Sequence, residues 1–189
     1  MHPSISIKTL FITALISLGC MAQAHAQQWA LTARTYVGFD IESLVFPIIK
    51  GRFNQFQSSM TFDATALENA SAQFTLEVNS ISLNKPALKR MILAEDLFYV
   101  DKYPTATFNS HEFIALGHDK YSIKGMLTLR GVSKMVTLDT LLKPNTINPR
   151  LLDVESQTVV QRSDFGMKRA LGGIGENVHI RLSGQWQPI

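Results

Sequence analysis

Apolar and polar residues alternate with a period of two along most of the chain after residue 28. Val37, Phe39 and Ile41, for example, are separated by small or polar residues. Because successive side chains of a β-strand point to opposite faces, this pattern predicts strands with one apolar and one polar face. We predict strands in that stretch and in seven others, at residues 52–63, 73–79, 105–113, 121–130, 135–142, 151–162 and 177–187.

The predicted fold is all-β, a single barrel of about eight antiparallel strands. Closing the sheet lets the apolar faces share one interior and removes the unpaired strand edges. A barrel of this strand number is either filled by its own side chains or holds one small ligand. An outer-membrane barrel, apolar outside and polar inside, is disfavoured because the alternating runs are short and no aromatic girdles recur.

The alternation breaks between Pro86 and Tyr99. Proline is favoured in the first turn of a helix. The apolar residues that follow have helical spacing: Ala87, Leu88, Met91, Ile92 and Leu93. We therefore predict one short α-helix, packed at a mouth of the barrel or closing it.

Residues 1–26 have the pattern of a secretory signal peptide. Lys8 supplies the positive start, the apolar run at 10–18 is too short to span a bilayer, and an Ala-His-Ala cleavage site ends at Ala26. We expect export to the periplasm with cleavage after Ala26, which leaves one domain at residues 27–189. Cys20 offers an alternative, a lipid anchor, but Ser17 stands where such sites usually carry Leu.

Composition adds two constraints on the exported chain. Cys20 is the only cysteine and lies in the predicted signal peptide, so no disulfide is expected in the mature protein. The formal net charge falls from +3 to +2 when Lys8 is removed with that segment. Such a small charge does not indicate a nucleic-acid partner or strong binding to a membrane surface.

Three segments, in this order, resemble the YceI-like family. They read Glu-Asp-Leu-Phe-Tyr-Val-Asp-Lys-Tyr-Pro-Thr-Ala-Thr-Phe at 95–108, Gly-Met-Leu-Thr-Leu-Arg-Gly-Val-Ser-Lys-Met-Val-Thr-Leu at 125–138, and Arg-Ser-Asp-Phe-Gly at 162–166. The second segment is also typical of a β-hairpin centred on Gly-Val-Ser-Lys. The resemblance spans residues 29–187 and implies a secreted, lipocalin-like barrel that holds a polyisoprenoid or another long-chain lipid.

The apolar residues expected to face the interior are the candidate lipid site. On the sequence alone, filling an ordinary core is the commoner explanation for each of these residues, and the resemblance is what favours a cavity. Each buried methylene contributes about 0.8 kcal/mol, so a chain of about twenty carbons gains roughly 16 kcal/mol before ordering costs. The candidate cavity-lining residues are Phe39, Ile41, Phe53, Phe62, Phe74, Leu76, Val78, Leu93, Phe98, Phe108, Leu127, Leu129, Phe165, Leu182 and Trp186.

Arg90 and Arg162 are candidate contacts to a lipid head group. Arg162 is separated from Val154 and Val160 by an even number of positions, so it is expected on the same inward face of the strand. A buried arginine needs a partner, and we prefer an acidic side chain over a lipid head group as that partner. Arg90 belongs to a basic cluster beside the predicted helix, where a solvated face is the commoner explanation. The family resemblance implies an acidic neighbour for Arg90, but this chain has Met91 there.

No catalytic or metal-binding pattern stands out. Ser163 and Asp164 form the best candidate for a nucleophile and base, but the chain lacks a Gly-x-Ser-x-Gly elbow and a turn explains the pair better. His111, His118 and His179 have no metal-ligand spacing. We expect no enzyme activity, no metal and no cofactor.

The sequence therefore predicts a non-enzymatic, secreted protein that binds or transports a long-chain amphiphilic lipid. A polyisoprenoid, an isoprenoid quinone and a fatty amide are the expected cargoes. We expect a monomer or homodimer, with transient contact to a membrane surface and no nucleic acid. Two alternatives stay open: a lipid-modifying enzyme, and a stress or adhesion factor that acts through its surface and has a filled barrel.

Overall fold

The computed structural model describes residues 27–43, 48–167 and 173–189. Within these ranges one α-helix, α1, runs over Lys89–Leu93, and short 3-10 helices cover Leu67–Asn69, Val78–Ser80, Pro86–Leu88 and Arg162–Phe165. The remaining regular structure is strand: β1 (Gln28–Leu31), β2 (Tyr36–Ser43), β3 (Ile49–Phe53), β4 (Phe56–Thr61), β5 (Ser71–Glu77), β6 (Ile81–Leu83), β7 (Thr105–Gly117), β8 (Lys120–Leu129), β9 (Val132–Pro144), β10 (Leu152–Gln161) and β11 (Ile174–Pro188).

A ring of eight antiparallel strands closes the barrel. Its order is β1-β4-β5-β7-β8-β9-β10-β11, and β11 pairs back to β1. Strand β11 is long enough to pair with β1 near its end and with β2 over 178–183, so β2, β3 and β6 extend the same sheet. The predicted all-β, eight-stranded antiparallel barrel with one short helix is confirmed.

The strand predicted at 52–63 is in fact two strands, β3 and β4. Asn54 interrupts the run: its backbone N–H donates to Ser80 Oγ at 3.1 Å, and its side-chain amide donates to the Ser80 carbonyl at 2.6 Å. These side-chain bonds replace ladder bonds and let the chain bend. Strand β3 then pairs with β2, and β4 pairs with β1.

The hairpin between β8 and β9 turns at Arg130 and Gly131, so the centre predicted at 131–134 was wrong. Both residues have positive φ, 51° and 72°, as a two-residue primed turn requires. Arg130 tolerates this conformation while its guanidinium donates to the carbonyl oxygens of Gly166 and Glu95. The hairpin turn is thereby held against the segments that follow α1 and β10.

Helix α1 is shorter than the predicted helical segment and packs at one mouth of the barrel. Pro86 begins the 3-10 turn that leads into it, as expected for a residue without a free N–H. Ile92 is buried within α1, and Leu97 is buried just after it. No helix in the described residues is long and apolar enough to cross a membrane.

Candidate functional site

The barrel interior holds two adjoining cavities. We call them the Trp186 cavity, about 100 Å³, and the Phe98 cavity, about 90 Å³. Each is named after a residue that lines that cavity and not the other. A water molecule needs roughly 10–15 Å³ by the same measure, so each cavity is several times larger than the space that one water molecule needs. Four residues, which we call the waist, line both cavities: Val37, Leu76, Leu127 and Ile180. The two cavities therefore lie end to end across the waist, and we call the pair the elongated space.

Stiff aromatic side chains form much of the cavity wall. In the Phe98 cavity, Phe39 lies 6.0 Å from both Phe53 and Phe98, measured between ring centroids. In the Trp186 cavity, Phe74 lies 6.1 Å from Phe108 and 5.6 Å from Trp186. Tilted ring pairs at these separations are stabilising and hold their shape. The space thus has fixed apolar walls.

Polar side chains line the Trp186 cavity only from β9, β10 and β11. Thr140 and Ser156 are cross-strand partners whose hydroxyl oxygens lie 2.7 Å apart. Thr158 completes this polar strip, while Gln157 and Arg181 border the cavity from β10 and β11 but have exposed side chains. A ligand in the cavity meets apolar surface everywhere except along this one side.

Buried side chains close both ends of the elongated space. At the end near the β7–β8 turn, Phe62 packs against Phe113 and Tyr121, with centroid separations of 6.2 and 5.5 Å. Burial, with a smaller effect of the Asp119 carboxylate, raises the pKa of the Tyr121 phenol. We call this cluster of three rings the end plug. At the α1 end, buried Ile92 and Leu97 lie in the hydrophobic cluster that also contains Phe53.

Most of the predicted lining residues border this space, and their role in lipid binding remains a prediction. Three do not border it: Phe62 belongs to the end plug, Val78 is buried in a 3-10 turn, and Leu93 faces an outer groove beside α1. The twelve that do are Phe39, Ile41, Phe53, Phe74, Leu76, Phe98, Phe108, Leu127, Leu129, Phe165, Leu182 and Trp186.

Sequence reasoning missed several lining residues, most of which lie on the inward faces of strands. The first group lines the Trp186 cavity: Val37, Met60, Ala72, Ile123, Val136, Leu138, Leu142, Val154 and Ile180. The second lines the Phe98 cavity: Ile92, Leu97, Ala106, Val160, Met167, Ile174 and Val178. Selecting every second residue along each strand would have found most of them, because alternate residues share one face.

Arg162 points into the barrel, and protein groups satisfy its guanidinium. Its Nε donates to the Gly175 carbonyl at 2.9 Å, Nη1 to Met167 at 3.2 Å and Nη2 to Ile174 at 3.4 Å. Nη2 also lies 3.7 Å from Glu176 Oε2, the acidic partner that the sequence favoured over a head group. The side chain is 3% exposed and borders the Phe98 cavity. Arg162 thus ties the end of β10 to the start of β11.

The other candidate polar residues lie away from the cavities. Arg90 is exposed on α1 beside an outer groove that also contains Lys89 and Asp101. Ser163 and Asp164 are exposed in the 3-10 helix, where the Ser163 backbone N–H donates to Glu176. In the part of the chain that the structure describes, no group of three or more His, Cys, Asp or Glu side chains forms a metal site.

Comparison with known proteins places this architecture in a family. The model of the YceI-like domain matches residues 29–186. The chain belongs to the YceI-like family. A curated relative, a UPF0312 protein of Pseudomonas aeruginosa, is 33% identical over 183 residues, covering 93% of this chain and 95% of the relative. A UPF0312 protein of Azotobacter vinelandii is 30% identical over 184 residues, with the same coverage of both chains.

Two solved structures share the fold. Burkholderia cenocepacia BcnA matches with a TM-score of 0.75 and 24% identity, over 82% of this chain and 98% of that one. A polyisoprenoid binding domain from Saccharophagus degradans matches with a TM-score of 0.63 and 16% identity, over 85% of this chain and 98% of that one. At these identities the likeness shows a common barrel.

Proposed function

We propose that this protein binds one long-chain amphiphilic lipid inside its barrel and carries it. The observation that supports this most directly is the elongated apolar space formed by the Trp186 and Phe98 cavities. Apolar walls gain free energy with each methylene removed from water, so a long hydrocarbon chain is the ligand that such a space favours. The polyisoprenoid binding domain from Saccharophagus degradans, which has the same fold, supports the same ligand class.

A carrier fits the interior better than a lipid-modifying enzyme does. The side chains in the polar strip are hydroxyls, and the candidate pair Ser163 and Asp164 is exposed outside the cavities. The cavities also count against a barrel filled by its own side chains. The cargo we propose is a polyisoprenoid, an isoprenoid quinone or a fatty amide.

We also propose that the protein acts in the periplasm. Residues 1–26 lie outside the described residues, and their sequence supports export to the periplasm with cleavage after Ala26. There the mature chain, 27–189, acts as a monomer or homodimer that touches membranes only to load or release lipid. We assign it no metal, cofactor or nucleic-acid partner.

Titration with cis-parinaric acid tests the binding directly. Trp186 lines the cavity, so a polyene chain beside it accepts energy from the indole and gains fluorescence. We expect saturation at one probe per chain and displacement by decaprenol, ubiquinone-10 or oleamide, whichever resembles the cargo. Folded protein that neither binds the probe nor takes up any of the three lipids contradicts the proposal.

A further inference from the structure

The hydrogen-bonded ladder between β9 and β10 stops half-way along the strands. Paired residues run from Leu152–Pro144 to Gln157–Asp139 and no further. Strand β9 nevertheless extends back to Val132, and β10 continues to Gln161. On their other sides both strands stay paired, β9 with β8 and β10 with β11. The facing edges, residues 132–138 and 158–161, form a slot in the barrel wall that we call the seam.

The seam is bounded at both ends. At one end the Thr140 and Ser156 hydroxyls join the last paired segment at 2.7 Å. At the other end the Arg130 guanidinium, on the β8–β9 turn, donates to the carbonyl oxygen of Gly166 just beyond β10. The seam is therefore a closed slot in the wall, and the barrel stays intact around it.

Apolar side chains lie on both faces of the seam. On the inner face, Val136 and Leu138 from β9 border the Trp186 cavity, as does Thr158 from β10. On the outer face, Met135 is 57% exposed and Val159 is 53% exposed. An apolar surface thus runs from solvent through the wall into the cavity.

Routes through either end of the barrel require displacement of packed side chains. One end of the barrel is filled by the cluster of Phe62, Phe113 and Tyr121, and the other by Ile92 and Leu97 from the segment around α1. Along the seam no ladder bonds join the two strands, so they are able to separate without breaking one. We therefore expect the two strands to separate more easily at the seam than the packed side chains move at either end of the barrel.

We propose that the seam is a lateral passage through which the hydrocarbon chain of the lipid enters and leaves the barrel. This inference rests on the proposed function. A chain that enters tail first leaves its polar end at the seam, beside the hydroxyls of Thr140, Ser156 and Thr158. An unpaired strand edge is also a site where a second chain adds a strand. The apolar residues on both faces and the adjoining cavity favour lipid passage over strand addition.

A reversible cross-link across the seam tests this passage. Register continued from Asp139–Gln157 places Thr137 opposite Val159, and both are exposed. In the mature chain, which has no cysteine of its own, the double variant Thr137→Cys/Val159→Cys is closed with a bis-methanethiosulfonate reagent and reopened by reduction. The control, Glu155→Cys/Ser183→Cys, places the same cross-link over a register pair of the complete β10–β11 ladder.

Stopped-flow measurements with cis-parinaric acid give the rates. Closing the seam is expected to slow both association and release by about tenfold or more, with the equilibrium affinity within about twofold, because a gate changes rates alone. Reduction restores the rates, and the control is unchanged. Unaltered rates on a closed seam overturn the passage and leave the carrier function standing, whereas absence of binding before cross-linking overturns the carrier function itself. A dimer in light scattering that the seam cross-link dissociates overturns the passage in favour of strand addition.

Discussion

Replacing Ile180 with Trp is expected to abolish lipid uptake while leaving the barrel folded. Ile180 is half-buried on β11 and belongs to the waist that joins the two cavities. An indole at this position occupies the waist and leaves a long chain no continuous space. Overpacking costs about 1–3 kcal/mol of stability, less than a typical domain has. We expect the affinity for cis-parinaric acid to fall by about 100-fold or more, which is about 2.7 kcal/mol.

The control for this variant is Ile147→Trp. Ile147 is 92% exposed in the β9–β10 loop, so the same change of side chain leaves the interior untouched. Near-ultraviolet circular dichroism and urea unfolding report whether each variant is folded. Leu76→Phe, at a second waist residue, serves if the Trp variant does not fold. Unchanged affinity in a folded waist variant would show that the lipid binds elsewhere.

Removing the Arg162 side chain is expected to be the most destabilising single substitution of a polar residue. Arg162→Ala leaves the carbonyl oxygens of Met167, Ile174 and Gly175 without its N–H donors and opens a hole beside the Phe98 cavity. Breaking a buried charge network costs about 3–5 kcal/mol. In a domain of this size that lowers the Tm by roughly 10 °C. Urea unfolding followed by tryptophan fluorescence measures the loss.

A second variant at this position separates geometry from charge, and a surface variant serves as the control. Arg162→Lys keeps the charge but loses the planar fork that reaches three carbonyls, so we expect it to recover less than half of the loss. Arg150→Ala removes an exposed arginine from the β9–β10 loop and should cost less than about 0.5 kcal/mol. A loss below about 1 kcal/mol for Arg162→Ala would mean that the guanidinium does not support this end of the barrel.

Most strand positions were predictable because their signal is local, although β1 and β6 were not predicted. Alternation in a stretch such as residues 37–41 follows directly from the geometry of a strand. The split at Asn54 was not predictable, since it depends on Ser80, a residue 26 positions away. The centre of the β8–β9 hairpin was misplaced because the left-handed conformation of Arg130 is stabilised by distant carbonyl groups.

The candidate site was harder to predict than the fold. The alternation of residues along a strand indicates which face a side chain occupies, but not how far along the barrel axis it lies. Phe62 and Phe74 both face inward, yet Phe62 belongs to an end plug and Phe74 to a cavity wall. The partners of Arg162 are backbone carbonyls, which carry no signal in the side-chain sequence. The seam depends on where the β9–β10 ladder ends, which is a property of the folded sheet.

Native mass spectrometry tests the central claim most directly. The full chain is produced in its exporting host, and the mature protein is purified without detergent and then measured intact and after organic extraction. We predict a discrete adduct with the mass of one long-chain lipid, which is present on Ile147→Trp and missing from folded Ile180→Trp. A mass without adduct that persists after incubation with decaprenol, ubiquinone-10 and oleamide would contradict lipid carriage by this barrel.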